Sequence, residues 1–183
     1  MKKLAILSLL STLTTMIACN KGNDKFSVGD SYQGGIIFYI DNTGEHGLIA
    51  APSDQSAGVQ WSNGNDSVRT DATGSQVGTG KANTEAIVNL LGPGNYAAKL
   101  CEQLVIDTYS DWYLPSRDEL NLLYQQKNKI GGFADDYYWS STDLLGQPRA
   151  NYAANQNFTD GSVKFNGDMF KSSPNRVRAI RSF

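Results

Sequence analysis

Leu114-Pro115-Ser116-Arg117-Asp118-Glu119-Leu120 is a helix start written out in sequence, and it fixes where the irregular chain turns regular. Ser116 and Glu119 stand in the S-x-x-E spacing of a capping box. In that motif each side chain satisfies a backbone donor at the other's end of the first turn. Asp118 and Glu119 lie in the first turn, where acids complement the helix dipole. Leu114 is placed to staple against Leu120, and Leu120, Leu123 and Tyr124 recur at helical spacing as the buried stripe.

Upstream of this start the pattern predicts two more helices. Asn83 or Thr84 can cap one that runs to Leu91, where Gly92-Pro93-Gly94 stops it. A second runs from Tyr96 to about Ile106 and sets Cys101 on one face with Ala97, Ala98 and Leu104. On that face Cys101 reads as a buried structural thiol, not a nucleophile. Residues 53–80 hold Trp61 but are otherwise polar and glycine-punctuated, and read as a long loop.

Strand patterns lie at both ends. Gly35–Ile40 is β-branched and aromatic, Asp41-Asn42-Thr43-Gly44 supplies turn residues, and Leu48–Ala51 returns, which predicts a hairpin. After Gly131-Gly132, short strands are expected at Tyr137–Thr142, Asn151–Phe158, Ser162–Phe165 and Arg176–Phe183. The fold class is therefore α+β, with strands at both ends of the chain and helices between.

The N-terminus carries a different message. Lys2 and Lys3 precede an apolar stretch, Leu4 to Leu13, that is shorter than the about 20 residues a spanning helix needs. It ends Met16-Ile17-Ala18-Cys19, which resembles a bacterial lipobox. Residues 1–18 are expected to be a lipoprotein signal peptide, residues 19–27 a lipidated Cys19 with a short tether, and residues 28–183 one domain. Several acyl chains on one residue make anchoring stable, so the membrane is an expected partner. The expected location is the bacterial outer membrane, surface-exposed or periplasm-facing. Asn20 follows the cysteine, so an aspartate signalling inner-membrane retention is absent there.

Charge and rare residues narrow the chemistry. Taking residues 1–18 away removes two lysines and no acid, leaving 14 basic and 18 acidic residues, net −4. A mildly acidic chain without Lys/Arg runs argues against nucleic acid as a partner. With Cys19 acylated, Cys101 has no disulfide partner. His46 is the single histidine, in a Gly44–Gly47 turn, so no histidine metal site or Ser-His-Asp triad assembles.

Six segments in order resemble a known family: Tyr32–Phe38, His46–Ala50, Gly80–Thr84, Asp111–Ser116, Tyr138–Thr142 and Val177–Arg181. Together they are similar to the family named for the C-terminal domain of Legionella collagen-like protein, over residues 28–183. The resemblance implies a C-type-lectin-like fold, shared with formylglycine-generating enzymes, in which N- and C-terminal strands pair, helices flank a small sheet and long loops form a binding face. Family members occur in bacterial lipoproteins and at the ends of surface adhesins. Catalysis does not follow, because fold transfers no activity without site residues. The formylglycine-generating enzymes use a cysteine pair, and their iron-dependent relatives a histidine cluster. The oxygen-rich loops of calcium-dependent lectins survive only as fragments, Gln147-Pro148-Arg149 and Trp61-Ser62-Asn63. Arg149 puts a cation where calcium needs an oxygen. No cofactor, catalytic residue or metal ligand is therefore expected, and structural calcium elsewhere is left open.

The expected function is binding of glycan or protein ligands at the cell surface, with an envelope-assembly role as the alternative and an enzyme third. Tyr supplies rigid amphipathic area and Asn adaptable hydrogen bonds. On that ground the candidate ligand-binding residues are Arg149, Tyr152, Asn155, Asn157, Asn166 and Lys171. Trp112 and Trp139 read as core residues. Arg176, Arg178 and Arg181 read as partners of neighbouring acids rather than as a site for sulfated polymers.

Overall fold

The computed structural model describes residues 25–144, 151–163 and 169–183. Cys19, Arg149 and Asn166, with the signal peptide and most of the tether, lie outside the described residues. Among these, eight strands and four helices form the α+β architecture that the sequence predicts. The elements are β1 (Ser31–Tyr32), β2 (Gly35–Ile40), β3 (Gly47–Ala50), β4 (Ser56–Val59), α1 (Gly80–Leu91), α2 (Ala97–Glu102), α3 (Arg117–Gln125), α4 (Lys127–Ile130), β5 (Tyr137–Asp143), β6 (Ala153–Asn157), β7 (Asn175–Val177) and β8 (Ile180–Ser182).

The predicted hairpin is present as β2 and β3, paired antiparallel with Ile37 opposite Ile49. The C-terminal strand β8 adds to β3, so the two ends of the domain close on one another in the order β1-β2-β3-β8. A second sheet runs β4-β7-β5-β6, with β5 and β7 parallel and the other pairs antiparallel.

Successive strand residues point to opposite faces, and the first sheet buries both. Ile37 and Ile49 join Trp61, Ile87, Cys101, Trp112 and Trp139 in one core. Their neighbours Phe38, Leu48 and Ala50 join Leu120, Leu123, Tyr138 and Phe158 in the other. Tyr113 and Leu114 divide in the same way, as do Tyr138 and Trp139. That division corrects the expected staple, since Leu114 and Leu120 are buried in different cores. The tryptophans are core residues as expected, each with its indole N–H bonded to a backbone carbonyl: Trp61 to Ser140, Trp112 to Tyr109 and Trp139 to Val59.

The capping box forms in full. Ser116 Oγ accepts from Glu119 N at 3.3 Å, and Glu119 Oε2 accepts from Ser116 N at 2.7 Å. Other boundaries move. The helix expected to follow a cap at Asn83 or Thr84 begins earlier, at Gly80, a poor helix former, with Thr79 at the cap. Glycine is required there because a Cβ would overlap the Glu119 carboxylate. Asn83 caps nothing; its side chain clamps the preceding loop through Gly74 N and O. The second helix is shorter than expected and ends at Glu102. Within the supposed loop at 53–80, Ser56–Val59 forms β4, held by β7 and not by its own polar and small residues. Ser162 and Val163 are not in a strand, and Lys164 and Phe165 lie outside the described residues.

Candidate functional site

The segment just before β6 and the segment before β7 meet at an antiparallel bridge, Tyr152 opposite Phe170. Lys171 N donates to Asn151 O at 2.8 Å, and Leu144 N donates to Tyr152 O at 3.1 Å. These backbone bonds hold the two rings stacked, with centroids 4.5 Å apart and planes 30° apart. Tyr152 is half-buried and Phe170 is 39 % exposed. Beside them Ser67 Oγ donates to Asn151 Oδ1 at 3.3 Å, so a hydroxyl and an amide stand at the rim.

The residue after Phe170 forms a buried ion pair. Lys171 has no exposed side-chain surface; its Nζ lies 2.8 Å from Asp143 Oδ1 and donates to Val68 O at 2.7 Å. The ammonium also sits 4.8 Å from the centre of the Trp61 ring. Asp143 Oδ2 accepts from Thr70 N and Thr70 Oγ1 at 3.1 and 2.8 Å. Burial pulls the Lys171 pKa below its ordinary value, and the bond to Asp143 opposes that shift. The lysine ties the closing segment to the loop before α1.

The structure therefore separates the residues that composition had grouped. Tyr152 is at the surface. Asn157 is half-buried at the other end of β6, where Oδ1 accepts from Thr159 N at 2.8 Å and its own N–H donates to Ser162 O at 2.9 Å, holding a turn. Asn155 and Lys171 are buried, which corrects the expectation that they line an accessible face. The physical reason is its place in the sheet: Asn155 pairs opposite the fully buried Trp139, in a strand buried on both faces. Lys171 found a carboxylate 28 residues upstream in sequence that no local pattern announces. Phe170, which completes the stack, was not singled out. Its sole signal was an aromatic beside a lysine in a polar stretch.

The three C-terminal arginines and Cys101 are committed to the fold. Arg178 donates through Nε to Asp54 Oδ1 at 2.7 Å and packs 4.1 Å from the Phe133 ring centre. Arg176 bonds Asp54 and Asp136, and Arg181 bonds both oxygens of Asp111 and also Gln33. The Arg181 bond holds the Asp111 carboxyl below its ordinary pKa. Cys101 is buried, and its apolar surroundings push the thiol well up. His46 is exposed in its turn. Among the described residues no helix is long and apolar enough to cross a membrane, and no group of three His, Cys, Asp or Glu side chains is placed to hold a metal.

Residues 51–181 match the family model described as Lcl C-terminal domain, well over half of the chain. The matched span begins just after β3, yet β3 is hydrogen-bonded to β8 and β2 to β3, so the first hairpin belongs to the same folded unit. No curated protein matches the chain.

Proposed function

We propose that this chain, which belongs to the Lcl C-terminal domain family, is an envelope lipoprotein anchored through Cys19 whose domain binds glycan or protein ligands without catalysing a reaction. The observation that carries the reading is the Tyr152–Phe170 stack. Two aromatic rings, one half-buried and one exposed, are joined by a backbone bridge, and the residue after Phe170 is committed to a buried ion pair. Burying such rings in the fold is the favourable default, and an ordered, exposed pair offers that area to a partner instead. The signal sequence at residues 1–18 supports export, and the acidic mature chain supports a partner other than nucleic acid.

The test has two arms. Replacing Cys19 with serine should move the protein from the membrane to the soluble fraction and remove the mass of the acyl chains; a variant that stays on membranes sinks the anchor. A glycan and glycosaminoglycan array, run with calcium and with chelator, should show saturable binding that Tyr152→Ala removes and chelator leaves intact.

An assembly role is the second reading. Leu90 at the end of α1 and Val105 beyond α2 are 54 % and 62 % exposed. A blank array together with co-purification of a stoichiometric envelope protein, lost on Leu90→Asp or Val105→Asp, would favour it.

A further inference from the structure

We infer that the Tyr152–Phe170 face takes a neutral hexopyranose, stacked by its C–H face on the rings, and not a sulfated or carboxylated polymer. The inference rests on the binding reading above and narrows it to one chemical class.

Three features point the same way. A pyranose ring has a flat apolar face made of its axial C–H groups and a rim of hydroxyls. The first complements the exposed area of Phe170, the more open of the two stacked rings. The second complements the amide of Asn151 and the hydroxyl of Ser67, which already meet at 3.3 Å beside Tyr152.

The third feature is electrostatic. A polyanion is held by exposed, unpaired cations, and the described cations that composition suggested for such a role are spent. Lys171, next to Phe170, is buried against Asp143. Arg176, Arg178 and Arg181 are bonded to Asp54, Asp136 and Asp111. The further charges that act on Lys171, Asp66 and Arg69, are opposite in sign. The described face therefore offers apolar area and neutral hydrogen-bonding groups, with one exposed cation, Arg69, in the same loop as Asp66.

The full chain, purified in a detergent without a sugar headgroup, should be titrated with lactose, cellotetraose and chitotetraose, and separately with heparin. Expected is saturable binding of at least one neutral oligosaccharide that survives 0.5 M salt, where ionic contacts are screened within a few ångströms. Tyr152→Ala and Phe170→Ala should each weaken it about five- to tenfold, and Tyr152→Phe, which keeps the ring, should change it less than about threefold. Saturation-transfer NMR on the unaltered chain gives a readout independent of any variant: irradiating the aromatic protons should saturate the C–H protons of one sugar face. Binding of heparin alone, lost in salt and indifferent to Tyr152→Ala, would overturn the neutral-sugar inference and leave the binding reading standing. Silence with every glycan would overturn the inference and remove glycans from that reading as well, leaving protein ligands.

Discussion

The capping box at Ser116–Glu119 and the aromatic face at Tyr152–Phe170 are both held rigid, but by contacts of opposite kind. In the box, the bonds that define the element join residues three apart in sequence. At the face, the chain beside Phe170 is tied down by Lys171, whose bonds reach Asp143 and, 103 residues away, Val68. The buried charges differ as well. Glu119 has no cation within bonding distance among the described residues and is solvated by the backbone N–H groups of Ser116 and Gly78. Lys171 is paired with a carboxylate and capped by an indole. Ser116 supplies one of the Glu119 donors through a local turn and Gly78 supplies another from 41 residues away, whereas every bond of the Lys171 side chain is long-range. The face is thus a product of the complete domain, and the box is in part a local element.

The largest effect should come from breaking the ion pair. Lys171→Met leaves Asp143 buried without its cation, and removing one partner of such a pair costs about 3–5 kcal/mol. Urea denaturation should show that loss. A second change, Asp143→Leu, should restore part of it, because the stranded charge is then gone. A loss below about 1 kcal/mol would mean that Lys171 is not a structural anchor, and would return it to the list of ligand-contacting residues.

Glu119 should give the next effect, and its pH dependence sets the two charges apart. Burial pushes its carboxyl above the ordinary value, against the lowering influence of the Ser116, Gly78 and Gly80 backbone groups. The folded protein therefore holds that proton more tightly than the unfolded chain. The resulting stabilisation is full below the unfolded value and fades as pH rises through the folded one. Glu119→Gln keeps one acceptor oxygen and turns an amide N–H towards a backbone N–H, for a loss of about 1–3 kcal/mol near neutral pH. The margin of the unaltered protein over this variant should widen as the pH is lowered from 7 towards 4.5. A margin that narrows would show that the N–H groups outweigh burial.

This contrast also explains what could be read from the sequence. The box, the first hairpin and the helical face of Cys101 depend on spacings of one to four residues, and those are visible in a single chain. The pairing of β8 with β3 came only with the family resemblance. What failed was set by distant contacts. The helix α1 opens on a glycine, a poor helix former, because Glu119 leaves no room for a Cβ at position 80. Ser56–Val59 is a strand because β7 pairs with it. Within the candidate site, Tyr152 was found by residue type alone, while the burial of Asn155 and Lys171 depended on the strand opposite and on an ion partner in another element. Polar residues in a turn-rich chain cannot be sorted into surface and interior without knowing what they face. Phe170 went unseen for the converse reason: an isolated aromatic in a polar stretch looks like core.

The smallest expected effect carries the most weight for function. Tyr152→Ala and Phe170→Ala each remove a partly exposed ring. The backbone bridge between them is made by main-chain atoms, and the buried Lys171–Asp143 pair is untouched. Each variant should therefore lose no more than about 1 kcal/mol in denaturant titration, since changes away from the core are usually small. A ring kept for packing behaves otherwise, because truncating a buried aromatic costs about 3–5 kcal/mol. If either variant unfolds on that scale, the stack is an extension of the core, and the platform for a ligand disappears with it. If both stay folded while binding is lost, exposed aromatic area is being maintained at little benefit to stability, which is the pattern of a surface kept for a partner.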